Sequence, residues 1–156
     1  MNTEALRSAY RDLLEVAATD GLGEARDGGW NADHVLAHLI SVDAAVAAVA
    51  LQVVSGSRPS FDNRVTLDSW NLDRIIADHP DRPALIEHVR RQGNLLCDIA
   101  EELTSDNSSV LVPALMVSNG ALDVDQPLPL AALVDGLADD HIPRHAQQLR
   151  DLETRR

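Results

Sequence analysis

The chain has 156 residues, 45% of them hydrophobic, and a net charge of −12 with no lysine, all thirteen basic residues being arginine. That length predicts a single domain over residues 1–156 with one core. The acidic balance argues against binding to a nucleic-acid backbone, which needs a basic footprint, and the single cysteine, Cys97, excludes an internal disulfide and fits the reducing cytoplasm.

Met1-Asn2-Thr3-Glu4 lacks a basic region followed by an apolar stretch, so no signal peptide is expected. No apolar run is expected to reach the length of a bilayer span, and no membrane partner is expected. A first helix is predicted from about Thr3 to Ala18, with Leu6, Tyr10, Leu13, Leu14 and Ala17 at helical spacing. Gly21-Leu22-Gly23 stops it, and Gly28-Gly29 loosens the link that follows.

The second helix opens at Asn31, a good N-cap residue, with Trp30 before it as a hydrophobic staple. Val35, Leu39, Val42, Val46, Val49 and Val53 form its stripe, and His38 lies beside them. Ala44, Ala45, Ala47, Ala48 and Ala50 make the helix slim enough for close packing. A long connection runs to about Arg82 and includes a short helix over Thr66 to Asp78. His79-Pro80 breaks it, because the residue before proline avoids the helical region. Asp81-Arg82-Pro83 opens a third long helix, in which Gly93 costs about 1 kcal/mol against alanine and threatens continuity.

Asn119-Gly120 between apolar residues signals a hairpin within Val110 to Val124, and Pro113 predicts an edge position for its first strand. Pro127 and Pro129 then precede a fourth long helix. Leu130, Leu133, Val134, Leu137, His141, His145, Gln148 and Leu152 share its inner stripe. Pro143 inside it should remove the hydrogen bond to the Asp139 carbonyl and kink the helix. Four amphipathic helices predict an all-α four-helix bundle, with a short extra helix and a small hairpin in the long connections.

His141 and His145 are four residues apart, which puts both on one helix face with Cβ atoms about 6 Å apart. His38 lies about seven residues from the start of its helix and His145 about seven from the end of its own. At 1.5 Å per residue, both sit roughly 10 Å from those ends. If these helices run antiparallel, the three imidazoles meet at one level. Three histidines leave positions open for water or substrate, the pattern of a catalytic metal site. Each also has a plain reading as a hydrogen-bonded core residue without metal.

His34 lies about 40° round from His38 and reads as a rim acid or base, or as an alternative ligand. His79 and His88 show no such register and read as surface residues. Cys97 reads as a small core residue rather than a nucleophile. Asp43, Asp140 and Gln148 are candidates to orient ligands. Arg144 and Arg74 are candidates to hold a substrate carboxylate. For Asp43, Asp140, Arg144 and Arg74 a solvated side chain is the alternative.

Two segments carry a family resemblance: Trp30-Asn31-Ala32-Asp33-His34-Val35-Leu36-Ala37-His38-Leu39, and Ala138-Asp139-Asp140-His141-Ile142-Pro143-Arg144-His145-Ala146-Gln147-Gln148-Leu149. The chain resembles the DinB/YfiT-like superfamily, which includes the metal-binding domain of mycothiol-dependent maleylpyruvate isomerases. Asp62-Asn63-Arg64 and the hairpin are similar in placement. The resemblance implies an up-down-down-up four-helix bundle. It implies a divalent metal, zinc or nickel, on His38, His141 and His145, and a possible homodimer. It also implies a cytoplasmic enzyme that uses a low-molecular-weight thiol of the mycothiol, bacillithiol or glutathione type on a small-molecule electrophile. No C-terminal domain like that of the longer isomerases is expected, so the expectation is the wider transferase and isomerase class. The alternatives are a non-catalytic metal-binding bundle that sequesters a small molecule, and a bundle without metal.

Overall fold

The computed structural model describes residues 3–153; the N-terminal reading at Met1 and Asn2 lies outside them. The described chain is mostly helical, with one small mixed sheet. Helix α1 spans Glu4–Ala17 and α2 spans Ala32–Val54. A short strand β1 (Phe61–Asp62) and two short helices, α3 (Arg64–Leu67) and α4 (Ser69–Ala77), lead to α5 (Arg82–Glu102). After α6 (Ser105–Ser109) come strands β2 (Leu111–Ser118) and β3 (Ala121–Pro129). The last helix is built from α7 (Leu130–Gly136), a π-helical turn (Leu137–His141) and α8 (Ile142–Asp151).

The helix signals act as the residues suggest. The Asn31 side chain accepts the His34 N–H and starts α2; Asp81 accepts the Ala84 N–H and starts α5. Leu6, Tyr10, Leu13, Leu14 and Ala17 are the buried face of α1. Helix α5 runs unbroken through Gly93, because the missing side chain is used: a Cβ there would lie 2.8 Å from the Tyr10 ring. Close approach of α1 and α5 outweighs the local propensity cost.

Four contacts set how the long helices lie. Arg7 near the start of α1 holds Asp98 and Glu101 near the end of α5. Arg82 at the start of α5 reaches Asp33 at the start of α2. The Gly23 N–H bonds the Leu152 carbonyl, so α1 and α8 finish at the same side. His38 in the first half of α2 meets His145 in α8.

The all-α expectation is corrected by the sheet, whose order is β1-β2-β3 with β1 parallel and β3 antiparallel to β2. Asn119 and Gly120 both take positive φ, 51° and 76°, as the tight turn between paired strands requires. Strand β3 continues to Pro129 rather than ending near Val124. Pro113 was expected on an edge, yet β2 is the central strand. The reason is that β1 is only two residues long and pairs with Ala114 and Leu115, past the proline. On the other side Pro113 faces Pro127, so neither residue of that pair has an N–H to leave unpaired.

The expectation about apolar runs also needs amending. Helix α2 is long and apolar enough to cross a membrane by length and composition alone, though most of it is buried inside the protein.

Candidate metal centre

His38, His141 and His145 each offer a ring nitrogen, and these atoms all lie within 4.8 Å of one another. The ring centroids are 5.2 Å apart for His38 and His141, 4.8 Å for His38 and His145, and 4.6 Å for His141 and His145. Two helices and one distorted turn produce this meeting.

His38 comes from the capped start of α2 and is 3% exposed. Its Nδ1–H donates to the Thr66 carbonyl at 2.7 Å, which leaves Nε2 as the bare nitrogen. That carbonyl is itself held in place. Thr66 Oγ1 donates to the Asn63 carbonyl at 2.6 Å. The buried Asn71 amide donates to the Val65 carbonyl and to Ser41 Oγ. Asn63 takes the Val117 N–H and donates back to the Val117 carbonyl, tying the segment to β2. The sheet therefore anchors the turn that orients His38.

His141 closes the π-helical turn, and His145 follows in α8. The Ile142 N–H bonds the Leu137 carbonyl, five residues back. The π-helical turn lies immediately before Pro143, which has no N–H to give to the Asp139 carbonyl. The expected proline disturbance is thus taken up as an inserted π turn. It places His141 as well as His145 toward His38.

His145 Nδ1 lies 2.8 Å from Gln148 Oε1, one turn later, and donates to it; its Nε2 is then free. These tautomers follow from the hydrogen-bond network. His38 Nε2 and His141 Nε2 are 3.1 Å apart, and His141 Nδ1 is buried without a hydrogen-bond partner. Burial, then the neighbouring His145, lowers His38 to about 4, against the Thr66 carbonyl. Burial, then His145 and His38, lowers His141 to about 2. Burial lowers His145 as well, opposed by Gln148. All three rings are neutral near pH 7, the form in which imidazole binds a metal. A trio of neutral, neighbouring nitrogens with two rings locked by acceptors fits a divalent ion of the zinc or nickel type.

Other expected residues lie elsewhere. His34 is half-buried, with Nδ1 2.8 Å from Asn31 Oδ1 and Nε2 3.1 Å from Asp73 Oδ1, and it is not in the converging set. Asp43 does not orient a ligand: it is buried beside Tyr10 and Cys97, on the side of α2 turned about 140° from His38. Asp140 pairs with Arg144, and Arg74 lies over the exposed Trp70 with Asp78 and Asn71 as partners. Both arginines are exposed and make their contacts with neighbours close by in sequence, away from the converging rings. Gln148 does orient His145. His79 and His88 bond each other at 2.9 Å, half-buried rather than fully exposed. Cys97 is buried, and burial pushes its thiol up to about 11, which fits a small core residue.

Two contributors escaped the sequence reading. The Thr66 carbonyl is main chain and has no residue-type signal. Trp30, read only as a staple, lies with its ring centroid 4.9 Å from that of His38. Comparison with protein-family models, with curated proteins and with solved structures finds no match for this chain.

Proposed function

We propose that the chain is a DinB/YfiT-like, up-down-down-up four-helix bundle that holds one divalent metal, zinc or nickel, on His38, His141 and His145. Its activity is transfer or isomerisation of a small electrophile with a low-molecular-weight thiol, in the cytoplasm. The observation that carries this reading is the convergence of three neutral imidazoles, two of them locked by the Thr66 carbonyl and Gln148 Oε1. A bound divalent ion supplies the charge that favours the ionised form of a coordinated thiol. The chain's own part is positional. The Thr66 carbonyl and Gln148 hold two rings in one tautomer, Trp30 covers the His38 ring, and the surrounding core limits water.

One observation favours the second reading, a non-catalytic metal-binding bundle that sequesters a small molecule. Among the described residues, the trio's hydrogen-bond partners are a carbonyl and an amide, and no carboxylate touches it. An acid–base group for catalysis is therefore not supplied at the rings themselves.

The test is metal quantification on protein purified without a histidine tag, followed by turnover with glutathione, mycothiol and bacillithiol against a panel of electrophiles. The enzyme reading expects about one metal per chain and turnover with one of the thiols. Metal without turnover selects the binding reading. No uptake of zinc or nickel removes both.

A further inference from the structure

Two histidines outside the trio hold each other where α4 gives way to α5. His79 follows the end of α4, and His88 stands in the second turn of α5. Their ring centroids are 5.1 Å apart. His79 Nδ1 lies 2.7 Å from the Ile75 carbonyl, which only accepts, so this nitrogen carries the proton and Nε2 is bare. His88 Nδ1 lies 2.9 Å from that Nε2 and donates to it. The two bonds in series fasten the end of α4 to α5. Helix α4 in turn supports the turn behind His38, since its Asn71 amide donates to the Val65 carbonyl and to Ser41 Oγ of α2.

This arrangement accommodates one added proton and not two. A proton on His88 Nε2 leaves both bonds in place. A second proton has only His79 Nε2 to go to, the atom that accepts from His88. The bond between the rings is then lost, and two cations face each other. Once apart, each imidazole takes up a proton near pH 6.5. The open junction therefore binds at least one proton more than the closed one in acid, and opening rises about tenfold per pH unit below that value. The surrounding charges do not offset the second proton. Burial, then His79 and Arg91, lowers His88. The neighbouring acids are committed elsewhere: Asp78 on α4 to Arg74, Asp81 in the link to the Ala84 N–H, and Glu87 on α5 to Arg90. From α2, Asp33 holds Arg82 and His34 meets Asp73.

We propose that His79 and His88 form a proton-operated latch, which holds the end of α4 against α5 near neutral pH and releases it in mild acid. The latch is separate from the metal reading, because neither ring belongs to the converging set.

The experiment is amide hydrogen exchange on metal-free full-length protein at pH 7.5 and pH 5, with rates corrected for the intrinsic effect of pH. The Asp78 and His79 amides, which bond the Arg74 and Ile76 carbonyls, report the junction. Their opening should increase about tenfold or more from pH 7.5 to pH 5. His88→Asn places a side-chain amide near the Nδ1 position. That amide donates to a neutral His79, accepts from a charged one, and does not titrate. This variant should stay closed at both pH values. His88→Leu should raise exchange of the two amides at pH 7.5 and lose the acid response. Asp43 also titrates in this range, but it does so in all three proteins, so the difference between wild type and His88→Asn isolates the pair. Both substitutions replace a half-buried ring, and unfolding midpoints check that the variants fold. Equal protection of wild type at the two pH values overturns the proposal, as does an acid response in His88→Asn as large as that of wild type. A junction as protected in His88→Leu as in wild type at pH 7.5 overturns it too.

Discussion

Helix α2 carries two buried polar sites, and they are built in opposite ways. His38 faces α8, where its ring nitrogens meet a carbonyl and two other imidazoles. Asp43, five residues on, faces α1 and α5, where both its oxygens are buried without a hydrogen bond of normal geometry. The Tyr10 hydroxyl interacts with it, lowering its pKa against burial, and is equally short of a partner of normal geometry. Burial drives both residues to their neutral forms, but the direction of the pKa shift differs. It takes His38 down to about 4 and pushes Asp43 up to about 7. The lesson is that depth alone does not mark a functional site. Prepared partners do, and only the histidine end of α2 has them.

The largest test of that contrast is removal of a ring. His38→Ala, His141→Ala and His145→Ala should each reduce bound metal from about one equivalent to a trace, since two imidazoles compete poorly for a divalent ion. Asp43→Asn should leave metal content unchanged. Elemental analysis of the purified variants measures both. Full occupancy in His141→Ala would end the distinction between the two sites.

The next effect is on stability against pH, measured by urea unfolding of metal-free protein. A histidine whose pKa is depressed by folding stabilises fully above its unfolded value of 6.5. That contribution is lost as pH falls toward the folded value of about 4. A carboxyl whose pKa is raised stabilises fully below its unfolded value of 3.8, and that contribution is lost as pH rises through about 7. Between pH 4 and 6.5 the two slopes oppose each other. At about 1.4 kcal/mol per pKa unit, the histidine contribution is at most about 3–4 kcal/mol and the carboxyl contribution at most about 4–5 kcal/mol. Asp43→Asn removes one of them. Relative to wild type it should gain about 1–4 kcal/mol at pH 8, and lose that advantage at pH 4. An advantage that is the same at both pH values would mean Asp43 does not titrate with folding.

A smaller effect sharpens the role of prepared partners. Gln148→Leu removes the acceptor that fixes the His145 ring, and should weaken metal binding about 10–100-fold. Gln148→Glu keeps an acceptor and should bind close to wild type. Competition with a chelator reads both affinities. Equal affinity in the leucine variant would make the Gln148 contact incidental.

How much of this was legible in the residues depends on whether the signal was local. Asn31, Asp81 and Asn119-Gly120 each act on backbone within a few residues, and they mark the start of α2, the start of α5 and the hairpin turn. The depth match of His38 with His145 was readable because helical rise is constant. Strand β1 was not, since two residues make no pattern and its pairing partner lies some fifty positions on. The π turn was foreshadowed by Pro143 but not specified, because a kink and an inserted residue relieve the same missing hydrogen bond. Asp43 was misread because a carboxylate near a histidine in sequence resembles a second ligand layer. The helix turns it to the other side.

His34 is the residue that looks most like a member of the trio in sequence and least like one in space. It stands one turn before His38, yet its two ring nitrogens are taken by Asn31 and Asp73. Its partner Asp73 is 67% exposed, so the contact is solvent-screened and contributes on the order of 0–1 kcal/mol. The backbone half of the cap, from the Asn31 side chain to the His34 N–H, does not need the imidazole. His34→Ala should therefore keep full metal occupancy and shift unfolding stability by no more than about 1 kcal/mol. Metal analysis and urea unfolding on the same preparation measure the two. Loss of metal would make His34 a fourth ligand. Retained metal with a rate reduced about 10²–10⁴-fold, in an assay with any active thiol, would instead identify it as the acid or base that the trio itself lacks.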